Sequence, residues 1–224
     1  MKVLANIRAR PVQVHGAVGA VNERHARFLK GLSELSSPWG GESADLAREI
    51  VFNDVCWTMK FTKVLGRQVF GDVMYSYPKD HADEPGSDDW IIIRFNPKFA
   101  GYREFVHEVA PVHVESFGAY SCTVSDEEWA VDLADQRERL KYFPNRRFIV
   151  QRLHPAHFMD GVLTRRAFSM DPDEIRRKLE GHVPAVRLLG DGVYIVGSDV
   201  PLDGAASEAL DTRLREVLGV PKLP

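Results

Sequence analysis

The sequence predicts an α+β fold in one domain spanning residues 1–224, with a mostly antiparallel sheet and helices packed on it. Three observations predict it. Trp90 to Phe95 contains three consecutive isoleucines, a β-branched block of strand length. Gly190-Asp191-Gly192 separates two apolar runs, Val186 to Leu189 and Val193 to Val196, as the turn of a hairpin does. Amphipathic stretches lie near both ends of the chain, and helices precede mostly strands, an order that does not suit a βαβ winding.

In chain order, Gly19 to Ser36 carries Val21, Phe28, Leu29, Leu32 and Leu35 near helical spacing, with Asn22 as the expected N-cap. Pro38-Trp39-Gly40-Gly41 ends that helix, and Ser43 is read as the cap of a second helical stretch through Leu46, Ile50 and Val51. Val55 to Tyr77 has no clean period. Pro78 to Asp89 combines Pro, Gly and Ser with five acids and reads as an exposed loop before the strand at Trp90. Phe99 to Val109 reads as a short helix, and Pro111 to Val124 as a long strand bent at Gly118. Ser125, with Glu128 three residues on, predicts a capping box for a helix running to about Phe143. Arg147 to Leu153 reads as a strand. Asp171 to Leu179 reads as a helix with Pro172 at its first position, and Ala205 to Leu218 as a last helix closed by Gly219.

With 44% hydrophobic and 27% charged residues the chain has the means to bury a core. No apolar run approaches the roughly 20 residues of a membrane span, and no secretory h-region follows Lys2, so a cytoplasmic location is expected. Two cysteines, Cys56 and Cys122, without CxxC spacing argue against a disulfide framework and are expected to be reduced and buried. The net charge of -3 conceals an acidic middle: residues 76–145 hold fourteen Asp and Glu against seven Lys and Arg. Such a field repels nucleic acid and speeds encounter with a basic partner.

Phosphate-loop, dinucleotide, nucleophile-elbow and zincin signatures are absent from the sequence. The candidate partner-binding residues are therefore the acidic loop, Asp80, Asp83, Glu84, Asp88 and Asp89, with Trp90 as an aromatic anchor. A second candidate is histidine-based. His154 and His157 stand three residues apart, and His113 and Glu115 would share one side of a strand, so His107, His113, His154 and His157 are the candidate ligands of a divalent metal. Cys122 with His107 or His113 would make a nucleophile and base, but its apolar neighbours favour an inert thiol. The pairs Arg146-Arg147, Arg165-Arg166 and Arg176-Arg177 fit ion pairs and solvated faces better than nucleic-acid binding, given a pI near 6.2.

Val21 to Leu35 followed by Pro38-Trp39-Gly40-Gly41-Glu42-Ser43, the segment Phe117-Gly118-Ala119-Tyr120, and Gly192-Val193-Tyr194-Ile195 together resemble the immunity protein 52 family of bacterial polymorphic-toxin systems. The resemblance is one of layout and touches most of the chain. It implies a small cytoplasmic α+β protein, not an enzyme and without a cofactor. Such a protein binds and blocks a cognate toxin, often a nuclease of restriction-endonuclease fold delivered by type VI secretion. An acidic surface suits that role, since a nuclease cleft is built to hold phosphates. The rival expectation is a metal-binding module or metal-dependent enzyme built on the four histidines.

Overall fold

A computed structural model describes residues 1–13, 15–41, 46–47, 50–52, 55–78 and 87–223. One eight-stranded sheet runs through it in the order β2-β3-β4-β1-β5-β6-β8-β7, every neighbouring pair antiparallel. The α+β class with an antiparallel sheet is therefore observed. The strands are β1 (Val3–Ala9), β2 (Cys56–Lys60), β3 (Val69–Ser76), β4 (Asp89–Phe95), β5 (Ser121–Asp126), β6 (Ala156–Met159), β7 (Ala185–Leu189) and β8 (Gly192–Val196). The helices are α1 (Val18–Glu34), α2 (Tyr102–Glu104), α3 (Ala110–Phe117), α4 (Glu127–Leu140), α5 (Gly161–Phe168), α6 (Pro172–Leu179) and α7 (Gly204–Leu218). Among the described residues no helix is long and apolar enough to cross a membrane.

Strand periodicity sorts the side chains of β1 onto two faces. Val3, Ala5, Ile7 and Ala9 point to the first face, where α1 and α3 cover them and Phe28, Phe61, Phe105 and Phe117 fill the core. Gly31 brings α1 close to α3, since a Cβ there would stand 2.8 Å from Ser116. Leu4, Asn6 and Arg8 point to the second face. On that face, over β6 and β8, the side chains of Met159, Val193 and Ile195 meet Leu163, Ile175 and Leu214 in a second apolar core. Truncating a core side chain as deep as Phe28 to Ala costs about 3–5 kcal/mol.

Asp171 and Asp203 cap α6 and α7 by accepting from the backbone N–H groups of Glu174 and Ala206, and Gly219 closes α7 in the left-handed region. The hairpin and both of these helices lie where their sequence places them. Other expectations are corrected. Asn22 is not the cap of α1: it lies inside the helix, where its Oδ1 accepts from the Ile50 N–H at 3.1 Å. Ser43 lies outside the described residues, and the described residues 46–47 and 50–51 are not helical.

The expected strand from Pro111 to Val124 is helix up to Phe117 and strand, β5, from Ser121. Ala110, Val114 and Phe117 are spaced four and three residues apart on one buried side, and the interval of three is helical, whereas Val112 and Val114 alone also fit the strand alternation. Gly118 ends α3 at φ 63°, donating its N–H to the carbonyl groups of Val114 and Glu115, so it is a helix cap and not a strand bend. A π-helical segment, Phe105–Val109, joins α2 to α3 immediately before Pro111. Proline cannot donate to the His107 carbonyl four residues back, and Arg187 donates to that oxygen at 2.7 Å instead.

Arg147 to Leu153 forms no strand. Side chains of α7 take up its backbone: Asp211 accepts from the Leu153 N–H at 2.7 Å, and Arg215 donates to the Val150 and Gln151 carbonyls at 2.7 and 3.0 Å. Ser125 belongs to β5, leaving Asp126 at the start of α4, and Lys141 ends that helix.

Candidate functional site

The acidic segment divides. Asp80, Asp83 and Glu84 lie outside the described residues. Asp88 and Asp89 are buried, which corrects the expectation that they are exposed to a partner. Asp88 accepts from Arg147 Nε at 2.8 Å and Nη2 at 2.7 Å and from the Tyr120 hydroxyl at 2.6 Å, with Arg8 at 3.7 Å. Asp89 pairs with Arg24 and accepts from the Ser76 N–H at 2.8 Å. Its burial pushes the carboxyl up to about 6, opposed by Arg24 and the Ser76 N–H. These two acids hold the start of β4 against β1, β3 and β5.

Trp90 follows them on the second face of the sheet, half-buried. The register aligns it with Met74 of β3 and Arg8 of β1, Ile92 with Asp72 and Asn6, and Arg94 with Phe70 and Leu4. Phe70 is 54% exposed, and Met74, Trp90 and Ile92 are half-buried. Arg94 bridges Asp72 at 3.5 Å and Glu127 at 3.1 Å. The result is a mixed face over β3 and β4, with Phe70 and Met74 on either side of Asp72 and with Trp90 and Ile92 leading to Arg94; in sequence the acidic segment connects those two strands.

The four histidines do not share a site. Among the described residues no three His, Cys, Asp or Glu side chains are grouped to hold a metal ion. His107 lies in the π-helical segment and bonds Asp199 through Nε2 at 2.7 Å. His113 is on α3, fully buried beside Phe28, with neither ring nitrogen hydrogen-bonded, while Glu115 is exposed; a helix turns these two positions apart where a strand would have aligned them. Burial brings the His113 imidazole down to about 4. His154 and His157 do meet, ring centroids 5.6 Å apart, with the His154 N–H donating to His157 Nδ1 at 3.4 Å. Burial lowers both, His157 to about 3, so both rings are neutral at pH 7. Cys122 is buried with its thiol pushed up to about 12, which leaves it protonated and inert; Cys56 is half-buried.

The His154–His157 pair opens into a cavity of about 300 Å³ on the second face, between β1, β5 and the roof formed by α4 and residues 144–154. Its floor is Asn6, Arg8, Thr123 and Ser125, and its walls carry Arg137, Arg146 and Arg152. No Asp or Glu lines it. Sequence reasoning missed this site, although Asn6 and Arg8 alternate with Val3, Ala5 and Ile7 as the polar side of a strand does.

Neither a family model nor a curated protein matches the chain. The fold has a solved counterpart. It is similar to the Pseudomonas aeruginosa T6SS protein PA0821, with a TM-score of 0.57 and 13% identity over 97% of this chain and 72% of that one. At that identity the likeness is one of fold, and it extends across the whole sheet.

Proposed function

We propose that this chain is a type VI secretion immunity protein: a non-enzymatic cytoplasmic protein that binds and silences a cognate toxin, of the restriction-endonuclease-fold nuclease type. The platform of Phe70, Met74, Trp90 and Ile92 carries the reading. An exposed Phe70 with half-buried Met74, Trp90 and Ile92 on one sheet face supplies aromatic and Met side chains of the kind enriched in interface cores, with the Arg94–Asp72 ion pair among them. Asp80, Asp83 and Glu84, in the sequence between β3 and β4, supply charge that draws a basic, DNA-gripping partner, raising the rate of association more than its strength. The fold shared with a protein described as a T6SS protein, and the resemblance of the sequence to the immunity protein 52 family, agree with this reading.

The test is co-expression with the toxin encoded beside the gene, followed by co-purification and an assay of DNA degradation. Wild-type protein is expected to co-purify and to suppress degradation. Phe70→Asp, which replaces the platform's exposed aromatic with a charge, abolishes both, while Asp80→Asn with Asp83→Asn slows association at low salt and leaves the complex intact. A wild-type protein that neither binds nor protects, or a Phe70→Asp variant that does both, overturns the reading.

A further inference from the structure

The cavity over β1 and β5 has a charge imbalance that the rest of the fold avoids. Alternation along the two strands sets Asn6, Arg8, Ser121, Thr123 and Ser125 on the second face, a polar floor in the middle of an eight-stranded sheet. Of the four arginines in the lining, Arg8 reaches Asp88 at 3.7 Å, and Arg152 reaches Glu208 at 2.9 Å and Asp211 at 3.9 Å. Arg137 donates to the Gln151 amide oxygen at 2.5 Å, and Arg146 stands at the exposed mouth; among the described residues neither pairs with a carboxylate. His154 and His157 are neutral and cannot balance them. Two buried polar atoms in the lining, Asn6 Oδ1 and His154 Nδ1, also lack a hydrogen-bond partner.

Such an arrangement costs the folded protein. The guanidinium of Arg146 is brought down to about 10 by desolvation and then by repulsion from Arg8 and Arg137; that of Arg137 is lowered by burial, Arg152 and Arg8. Buried polar atoms without a partner, such as Asn6 Oδ1 and His154 Nδ1, are expected to be rare unless something else in the life of the protein meets them, and guanidiniums crowded together without a carboxylate repel one another.

We propose that the cavity binds a small phosphate monoester, its phosphate held between Arg137 and Arg146 and its organic part against the apolar wall of Leu4, Leu133 and Ile149. The observations select this chemistry in three steps. Two uncompensated guanidiniums call for a ligand of charge near −2, which a phosphate monoester carries at neutral pH and a single carboxylate does not. Guanidinium forks match phosphate oxygens in geometry, and Thr123 and Ser121 add hydroxyl donors on the floor. A volume of about 300 Å³ with an aliphatic wall exceeds what a free inorganic ion fills and lies at the small end of organic ligand sites. The site does not depend on the immunity reading, because it lies under α4 and not on the platform.

The test uses the full-length purified protein, dialysed free of phosphate and held at constant ionic strength. Calorimetric titrations with phenyl phosphate, inorganic phosphate and succinate are run on wild type, Arg137→Gln, Arg146→Gln and the exposed control Arg177→Gln. Saturable 1:1 binding of phenyl phosphate is expected, tighter than inorganic phosphate and weakening as pH falls through about 6, where the ester takes up its second proton. Each cavity variant weakens it by about tenfold or more, the size of one lost charge-assisted hydrogen bond, and Arg177→Gln does not change it. Arg146 is exposed, so a retained thermal transition in that variant separates lost binding from lost folding. No saturable binding of any probe, or undiminished binding in Arg137→Gln and Arg146→Gln, overturns the site; succinate binding more tightly than phenyl phosphate overturns the assignment to phosphate.

Discussion

Two sets of arginines near the sheet are treated in opposite ways. Arg147 and Arg24 are sunk into the fold, each against a buried carboxylate, with Tyr120 and the Ser76 N–H completing the oxygens' partners. Arg137 and Arg146 line an open volume, and among the described residues neither meets a carboxylate, Arg137 donating instead to the Gln151 amide oxygen. A guanidinium that holds a structure together is neutralised inside it. One that is left unneutralised beside a cavity is available to a ligand. Charge count in a neighbourhood, and not the number of arginines, distinguishes the two.

The largest expected effect breaks the neutralised set. Asp88→Ala leaves Arg147, 2% exposed at its side chain, without its carboxylate, and the cost is about 3–5 kcal/mol. Urea unfolding followed by circular dichroism measures it as a shift in midpoint with unchanged slope. Removing both charges in Asp88→Leu with Arg147→Met recovers most of the loss, because a buried pair replaced by apolar groups of similar volume is close to neutral. If the single variant costs less than 1 kcal/mol, the pair is not the anchor of β4.

Protons probe the same contrast. His113 and His157 have folded-state values of about 4 and about 3 against roughly 6.5 unfolded. Between these limits the unfolded chain binds protons that the native chain refuses, so the stability is fully present above about pH 6.5 and is lost as pH falls. For His113 alone the loss approaches about 3 kcal/mol by pH 4. Asp89 acts against it: its carboxyl, raised to about 6, contributes stability that is lost as pH rises from about 4 to 6. Denaturant midpoints between pH 7 and 4.5 are expected to fall in wild type and to fall further in Asp89→Asn, which removes the opposing slope.

His113 also gives a gain. Both its ring nitrogens are buried without a partner, whereas those of the equally buried His25 lie 3.1 Å from the Tyr75 hydroxyl and 2.7 Å from the Ala47 carbonyl. His113→Leu removes an unmet desolvation cost and is expected to stabilise by about 1 kcal/mol at pH 7 and to flatten the acid loss; His25→Leu, which strands a hydroxyl and a carbonyl, destabilises. A midpoint for His113→Leu below wild type would place an unseen partner on that ring.

The legible parts of this fold are those decided by neighbours in sequence. The cap residue Asp171, the turn at Gly190, the closing Gly219 and the isoleucine block of β4 each settle their element locally. The illegible parts are decided at a distance. Residues 147–153 look like a strand, yet Asp211 and Arg215 from α7 claim their backbone. His157 sits in β6, whose four residues are buried on both faces and so show no alternation. The acids at 88 and 89 read as exposed because nothing local shows that Arg147 and Arg24 will reach them, and the cavity was hidden because its arginines come from three stretches of chain: β1, α4 and residues 144–154.

The smallest effect is the one that sharpens the comparison most. Arg137→Gln and Arg146→Gln remove guanidiniums that repel each other and their neighbours, so neither substitution withdraws a compensated charge from the fold. Stability is expected to change by no more than about 0.5 kcal/mol, with Arg146→Gln on the gaining side at low ionic strength. Added salt screens the repulsion over about 10 Å at 0.1 M, and the gain should vanish as salt is raised. The same arithmetic applied to Arg147→Gln gives the opposite sign, because buried Asp88 then loses its nearest cation and keeps Arg8 at 3.7 Å. Thermal midpoints for Arg146→Gln and Arg147→Gln, read at low and high salt, therefore separate two arginines adjacent in sequence: a loss in both would mean that Arg146 is also structural, and that the cavity's positive charge belongs to the fold and not to a ligand.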